Sequence, residues 1–203
     1  MITDEIIKKY FCPMPILLSE RLFFRAMRKS DYRDMYEYAK QNRVTEYLLW
    51  RPHPDEDYTY DYLEYVESRY KIGDFYDWAL VLRDSGKMIG TCGFNYFDKI
   101  NNSAEIGYVL NPAYWNQGIA TEAVKTVIRF GFVELDLNRI EARHMIGNVP
   151  SGRVMEKCGM KHEGVLRSAV LVGEEYKTVS VYSILYGEYI RSEIKKGESF
   201  KHR

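Results

Sequence analysis

Nine residues, Trp115-Asn116-Gln117-Gly118-Ile119-Ala120-Thr121-Glu122-Ala123, constrain the fold of this chain more than any other segment. Before them lies a β-rich run, Ala104 to Leu110, stopped by Asn111-Pro112. After them Ile119, Ala123, Val127 and Phe130 recur at helical spacing. Strand, tight glycine turn and amphipathic helix therefore come in that order. The first backbone N–H groups of a helix lack carbonyl partners within it, and the macrodipole places partial positive charge at the same end. The junction formed by Trp115, Asn116, Gln117, Gly118, Ile119, Ala120 and Thr121 is accordingly a candidate phosphate site. Taken alone, the segment reads equally well as an ordinary β-turn-α connection.

A second segment decides between these readings. Asn148-Val149-Pro150-Ser151 carries cap-forming and helix-starting residues, and Gly159 is suited to a helix C-cap, so a short helix is expected between them. His162 to Arg167 then reads as a strand entered through a second glycine. With both segments in view, the chain resembles the GCN5-related N-acetyltransferases (GNAT), in particular the branch of the ribosomal-protein N-terminal alanine and serine acetyltransferases. The resemblance runs from about Glu20 to Glu188. That branch writes its pyrophosphate loop Trp-Gly-x-Gly-x-Ala-Thr-Glu-Ala, which Trp115 to Ala123 reproduces with Asn116 in place of the first Gly. Its later pattern, Asn-x-x-Ser, Glu-Lys-x-Gly-Phe and Glu-Gly, is matched by Asn148, Ser151, Glu156, Lys157, Gly159, Met160, Glu163 and Gly164.

The resemblance implies a mixed α/β fold: a central, mostly antiparallel sheet, splayed to a V-shaped CoA cleft and flanked by helices. It implies acetyl-CoA as donor, with CoA as product, and a primary amine as acceptor. Val109 and Leu110 would line the pantetheine, Asn148 would bond its amide, and Arg153 would neutralise a phosphate. Glu105 would serve as general base through water, and Ser151 as proton donor to the departing thiolate. Each residue has a plainer reading: Glu105 as an ion-paired carboxylate on an alternating strand, Ser151 as a first-turn helix residue bonded to backbone, and Arg153 as a solvated helix charge. Many relatives outside the branch place Tyr where this chain has Met155, which delivers no proton.

Composition narrows the alternatives. The 203 residues, 46% hydrophobic, suit one domain with a sizeable core. Lys plus Arg equals Asp plus Glu at 29 each, so no global basic field grips nucleic acid. Cys12, Cys92 and Cys158 show no metal spacing with one another or with the four His, so reduced thiols and no metal are expected. No apolar run approaches the roughly 18 residues that cross a bilayer, and no signal peptide is visible; a cytoplasmic protein without a membrane partner is expected. Gly118 is not followed by Lys and Ser or Thr, which argues against a nucleotide-binding enzyme.

Along the chain, residues 1–19 read as an N-terminal arm or lead-in helix, 20–190 as the acetyltransferase domain, and 191–203 as a polar tail. A strand at Arg21–Met27 precedes a helix capped by Ser30, and a second helix spans Tyr58 to Lys71. Asp77–Asp84 and Lys87–Asp98 form a hairpin about Ser85-Gly86. Strands follow at Ser103–Leu110, Asn138–His144, Ala169–Val172 and Tyr176–Tyr186. This order of strands around a helical crossover fits a mixed sheet.

Asp55, Glu56, Asp57, Asp61, Glu64 and Glu67 have no Lys or Arg among them, a field suited to steering a cationic amine or equally to a solvated helix face. Tyr47, Trp50, Tyr58, Tyr60, Tyr62 and Tyr65 are candidates for an aromatic wall or for core packing. The expected acceptor is a protein or peptide α-amine, with a small diffusible amine as the alternative and a CoA-binding regulatory module as a different class. The Tyr-rich helix and the last strand are candidate homodimer contacts.

Overall fold

The computed structural model describes residues 1–201, with side chains through Lys195. In chain order the elements are α1 (Asp4–Phe11), β1 (Leu17–Leu18), β2 (Leu22–Arg25), α2 (Tyr32–Ala39), α3 (Asn42–Thr45), α4 (Glu56–Ile72), β3 (Tyr76–Leu82), β4 (Met88–Asp98) and β5 (Ser103–Leu110). Then come α5 (Ile119–Val133), β6 (Arg139–Met145), α6 (Val149–Lys157), β7 (Lys161–Val172), β8 (Glu175–Leu185) and α7 (Tyr186–Lys201). The strands form one sheet in the order β1-β2-β3-β4-β5-β6-β8-β7, antiparallel except where β5 and β6 run parallel.

That parallel pair makes the central opening. β5 pairs with β6 only from Ser103↔Arg139 to Ile106↔Ala142. Beyond this point β5 stays with β4, as far as Gly90↔Leu110, while β6 stays with β8, as far as Met145↔Val179. The strands part, and Gly107–Leu110 lose their partner on that side. α5 follows β5 and α6 follows β6, so both helix N-termini lie at the mouth of the wedge.

Apolar side chains on the two sheet faces explain how the helices settle. Phe11 of α1 is wholly buried, with its ring against those of Tyr76, Trp78, Phe94, Phe97 and Phe130. Thr3 caps α1 by accepting from the Ile6 N–H, and the Ile2 N–H donates to Asn102 at 2.7 Å. Of the two readings of residues 1–19, arm or lead-in helix, the structure has the helix, α1, and its apolar residues complete the sheet face that α5 leaves open. The opposite face packs beneath α2 and α4, where Tyr38, Leu63 and Val66 are buried.

Three local expectations are corrected. The first long helix is not capped by Ser30. A 3-10 turn at Lys29–Asp31 precedes α2, and the buried Asp31 accepts from the Arg28 N–H at 2.8 Å while pairing with Arg25 at 2.7 Å. The segments His162–Arg167 and Ala169–Val172 are one strand, β7, interrupted where Ser168 takes φ +49° and the pairing with β8 shifts. Residues from Arg191 do not begin a separate tail but continue α7, whose Tyr186 and Tyr189 rings lie against Phe132.

Candidate active site

The turn before α5 has the geometry the sequence implies. Gly118 caps the helix at φ +76°, and Asn116 sits at φ +60°. Asn is among the few side-chain-bearing residues that tolerate this left-handed region, which accounts for its presence where Gly is usual. The Trp115 indole N–H donates to the Leu110 carbonyl at 2.7 Å, fixing the loop to the end of β5, and the Arg43 guanidinium lies over the indole ring at 5.8 Å.

A clamp that sequence reading missed holds the other side of the loop. Arg21 donates from Nη1 to the Gln117 carbonyl at 2.9 Å and from Nε to Glu122 at 2.7 Å, and its backbone N–H donates to the same carboxylate at 2.8 Å. The Ser19 hydroxyl adds a fourth bond, to Glu122 at 2.7 Å. Partial burial pushes the Glu122 carboxyl up, but the donors of Arg21 and Ser19 outweigh it and leave the group below its ordinary value.

Between these elements lies a cavity of about 490 Å³. Its walls are Tyr108, Val109 and Leu110 of β5; Trp115, Asn116, Gly118, Ile119, Ala120 and Thr121; Asn148, Ser151 and Arg153 of the α6 turn; and Tyr47 and Leu48 after α3. Most of the predicted donor-binding residues are thus brought together. Gln117 is the exception: it does not line the cavity, because its side chain donates back to the Ala113 carbonyl and Arg21 holds its own carbonyl. Arg43, Glu46 and Lys157 also line the cavity and were not predicted, since they come from α3, the residue after it and the last turn of α6.

At the start of α6, Asn148 Oδ1 accepts from the Ser151 N–H at 3.3 Å, which leaves the Asn148 side-chain NH₂ as the group able to donate to a ligand. The Ser151 hydroxyl lies 2.7 Å from the Tyr108 hydroxyl. Met155 is buried and does not line the cavity, so a phenol arrives beside Ser151 from β5 rather than from α6. The Cys158 thiol is pushed up to about 12 by burial and lies 3.6 Å from the Thr121 carbonyl, an environment for a packing residue and not a nucleophile.

Glu105, predicted as general base, is not brought to the cavity. Its carboxylate pairs with Arg143 at 2.9 Å, and Arg143 also reaches Glu141 at 3.6 Å. In the parallel pairing Glu105 stands opposite Glu141; Arg143 bridges the two, and Arg139 also pairs with Glu141 at 2.7 Å. The acids of residues 55–67 are likewise engaged or remote. Asp55 caps α4, Glu56 and Glu64 pair with Arg33 and Lys29, Glu67 accepts from the Lys29 N–H, and none lines the cavity. Tyr58, Tyr62 and Trp50 pack around the buried ring of His53, so of the aromatic residues upstream of α4 it is Tyr47 that faces the cavity.

A parted parallel pair, a helix N-terminus on each side and a cavity between them are the features on which family membership turns. A family profile described as "Acetyltransferase (GNAT) domain" matches residues 21–161. The chain belongs to the GNAT acetyltransferases. It is 34% identical to an uncharacterized N-acetyltransferase, p20, of Bacillus licheniformis over 87% of this chain and 99% of that one. It is 28% identical to the putative ribosomal N-acetyltransferase YdaF of Bacillus subtilis, over 85% and 95%. Among solved structures, a GNAT-family acetyltransferase from Bacillus anthracis superposes with a TM-score of 0.75 at 29% identity, covering 85% of this chain and 99% of that one.

GNAT acetyltransferases take their acetyl group from acetyl-CoA. The residues present fit this donor. The cavity volume lies in the usual range for small-molecule sites, the start of α5 presents unpaired N–H groups, and Arg43, Arg153 and Lys157 set three cations on the lining. Among the described residues no cluster of three or more His, Cys, Asp or Glu side chains is placed to hold a metal ion, and no helix is long and apolar enough to cross a membrane.

Proposed function

We propose that this N-acetyltransferase acts on the N-terminal α-amine of a peptide or protein. The observation that carries the proposal is the composition of the cavity wall. Glu46 is its carboxylate, His is absent from the lining, and the Glu105 carboxylate is committed to Arg143. A site with so little basic capacity suits an acceptor that needs little deprotonation. An α-amine, with a pKa near 8, is about a tenth neutral at pH 7, whereas fewer than about one Lys amine in a thousand is neutral there. The relative whose printed name is putative ribosomal N-acetyltransferase points the same way.

The thioester of acetyl-CoA supplies an activated carbonyl carbon. In this reading the N–H groups at the start of α5 hold the pyrophosphate, and Arg43, Arg153 and Lys157 neutralise phosphate charge. Val109 and Leu110, on the stretch of β5 that has no β6 partner, and the free NH₂ of Asn148 align the pantetheine. Ser151, at the start of α6, lies where sulfur departs, and positive potential at that helix end favours negative charge there. Glu46 draws the cationic form of the acceptor toward the mouth.

The test is release of CoA thiol from acetyl-CoA with Ser- and Ala-started peptides, N-blocked Lys peptides, spermidine and an aminoglycoside as acceptors. Turnover confined to free N-termini is expected. Turnover of spermidine or the aminoglycoside in preference to peptides would replace the α-amine with a small diffusible amine.

A further inference from the structure

Tyr108 and Ser151 lie 43 residues apart, yet the Tyr108 hydroxyl is 2.7 Å from Ser151 Oγ and 2.9 Å from the Ser151 carbonyl oxygen. Both residues line the cavity. A phenol and a serine hydroxyl hold one proton each, so two protons serve three oxygens. In one arrangement Ser151 donates to Tyr108 and Tyr108 donates to the carbonyl, which turns the serine proton away from the cavity. In the other Tyr108 donates to Ser151 Oγ, and the serine proton is free to enter the cavity. Burial pushes the Tyr108 phenol far above its ordinary value, against the opposing pull of its bond to Ser151, so the phenol stays neutral and remains a donor.

We propose that Tyr108 is a positioning residue that makes Ser151 a hydrogen-bond donor to the sulfur of bound CoA. When negative charge gathers on the sulfur, the Tyr108 proton turns from the carbonyl oxygen to Ser151 Oγ, and Ser151 turns its own proton to the sulfur. In acetyl transfer the C–S bond breaks, its electron pair stays on sulfur, and the nitrogen that gained the acetyl group loses a proton to solvent. Ser151 and Tyr108 keep their protons throughout; they stabilise the thiolate by hydrogen bonding rather than by transfer. This rests on the acetyltransferase reading only in placing the CoA sulfur at Ser151.

The thiol titration of bound CoA, followed by thiolate ultraviolet absorbance, tests the pair without any acceptor. Ser151→Ala is expected to raise the apparent pKa of the bound thiol by about one pH unit, the size of a hydrogen bond to a charged group. Tyr108→Phe should produce most of the same rise, and the double variant no more than Ser151→Ala alone. Arg43, Glu46, Arg153, Lys157 and His144, which stands beside Gly152, are unchanged in every variant, so their influence cancels. The buried Cys92 and Cys158 thiols, both pushed up by burial, stay protonated across the range scanned, and a scan without CoA corrects for Cys12.

A bound thiol unmoved by Tyr108→Phe, or shifts that add in the double variant, would overturn the proposal. Tyr108→Met, which also lacks the hydroxyl, repeats the test if the Phe variant does not fold. An inactive acceptor panel alongside a normal thiol shift would count against the α-amine reading alone. Failure of CoA to bind the wild type would overturn both.

Discussion

Asp77, on β3, is buried with one carboxylate oxygen unpartnered, and burial pushes its carboxyl up to about 7 against the bonds it accepts from Thr91 and the Trp78 N–H. An unfolded chain would titrate the same group near 3.9. Between these two values the folded state holds a proton that the unfolded state has lost, so stability falls as pH rises through that window and stays reduced above it. Three pH units correspond to about 4 kcal/mol at most. Asp77→Asn should therefore gain stability relative to the wild type between pH 4 and pH 8, measured by urea unfolding at both; a constant difference would contradict the assignment. At this scale the sequence revealed residues whose work is local. Asn148 caps α6 and Gly118 opens α5, each within a few positions of its partner. Asp77 left no local sign, because its surroundings come from other strands and helices.

The clamp on the phosphate loop joins distant elements. Arg21, just before β2, meets Gln117 and Glu122 about a hundred positions away. Glu122→Gln keeps the shape of the side chain but removes the charge that organises three donors, the Ser19 hydroxyl and the Nε and backbone N–H of Arg21. Charge-assisted hydrogen bonds contribute roughly 1.5–3 kcal/mol each in favourable settings. The expected result is a KM for acetyl-CoA raised about tenfold with kcat little changed, read from steady-state kinetics; an unchanged KM would mean that the loop holds its form without Arg21. The motif Trp115 to Ala123 made the loop legible, but the clamp was not, since Glu122 reads in sequence only as a favourable charge in the first turn of a helix. Glu105 shows the opposite case. Its place at the start of β5 was legible, but Arg143 on the parallel neighbour, which decides its chemistry, follows 38 positions later in the chain.

Across the whole molecule, the order of strands and the helical crossover were readable because hydrophobic alternation and turn residues mark elements one at a time. Where the sheet opens was legible only through the family resemblance, which put Val109 and Leu110 in the cleft, because the parting of β5 from β6 after Ile106 is a property of two strands and the helices that follow them. The N-terminal segment was obscure for the same reason. Its apolar residues show no clear period in the sequence, yet Phe11 joins rings from β3, β4 and α5. Phe11→Ala should cost about 3–5 kcal/mol of stability, lowering the urea midpoint, whereas an arm that merely lay on the surface would lose almost nothing.

The central claim is that the wedge between β5 and β6 delivers an acetyl group to an α-amine. It is tested most directly by incubating a Ser-started peptide that also contains an internal Lys with the protein and acetyl-CoA, then locating the product by fragment-ion mass spectrometry. The account predicts a single acetyl group on the N-terminal nitrogen, formed about tenfold more slowly when Ser151→Ala replaces the wild type. Acetylation of the Lys side chain in preference to the N-terminus would contradict it.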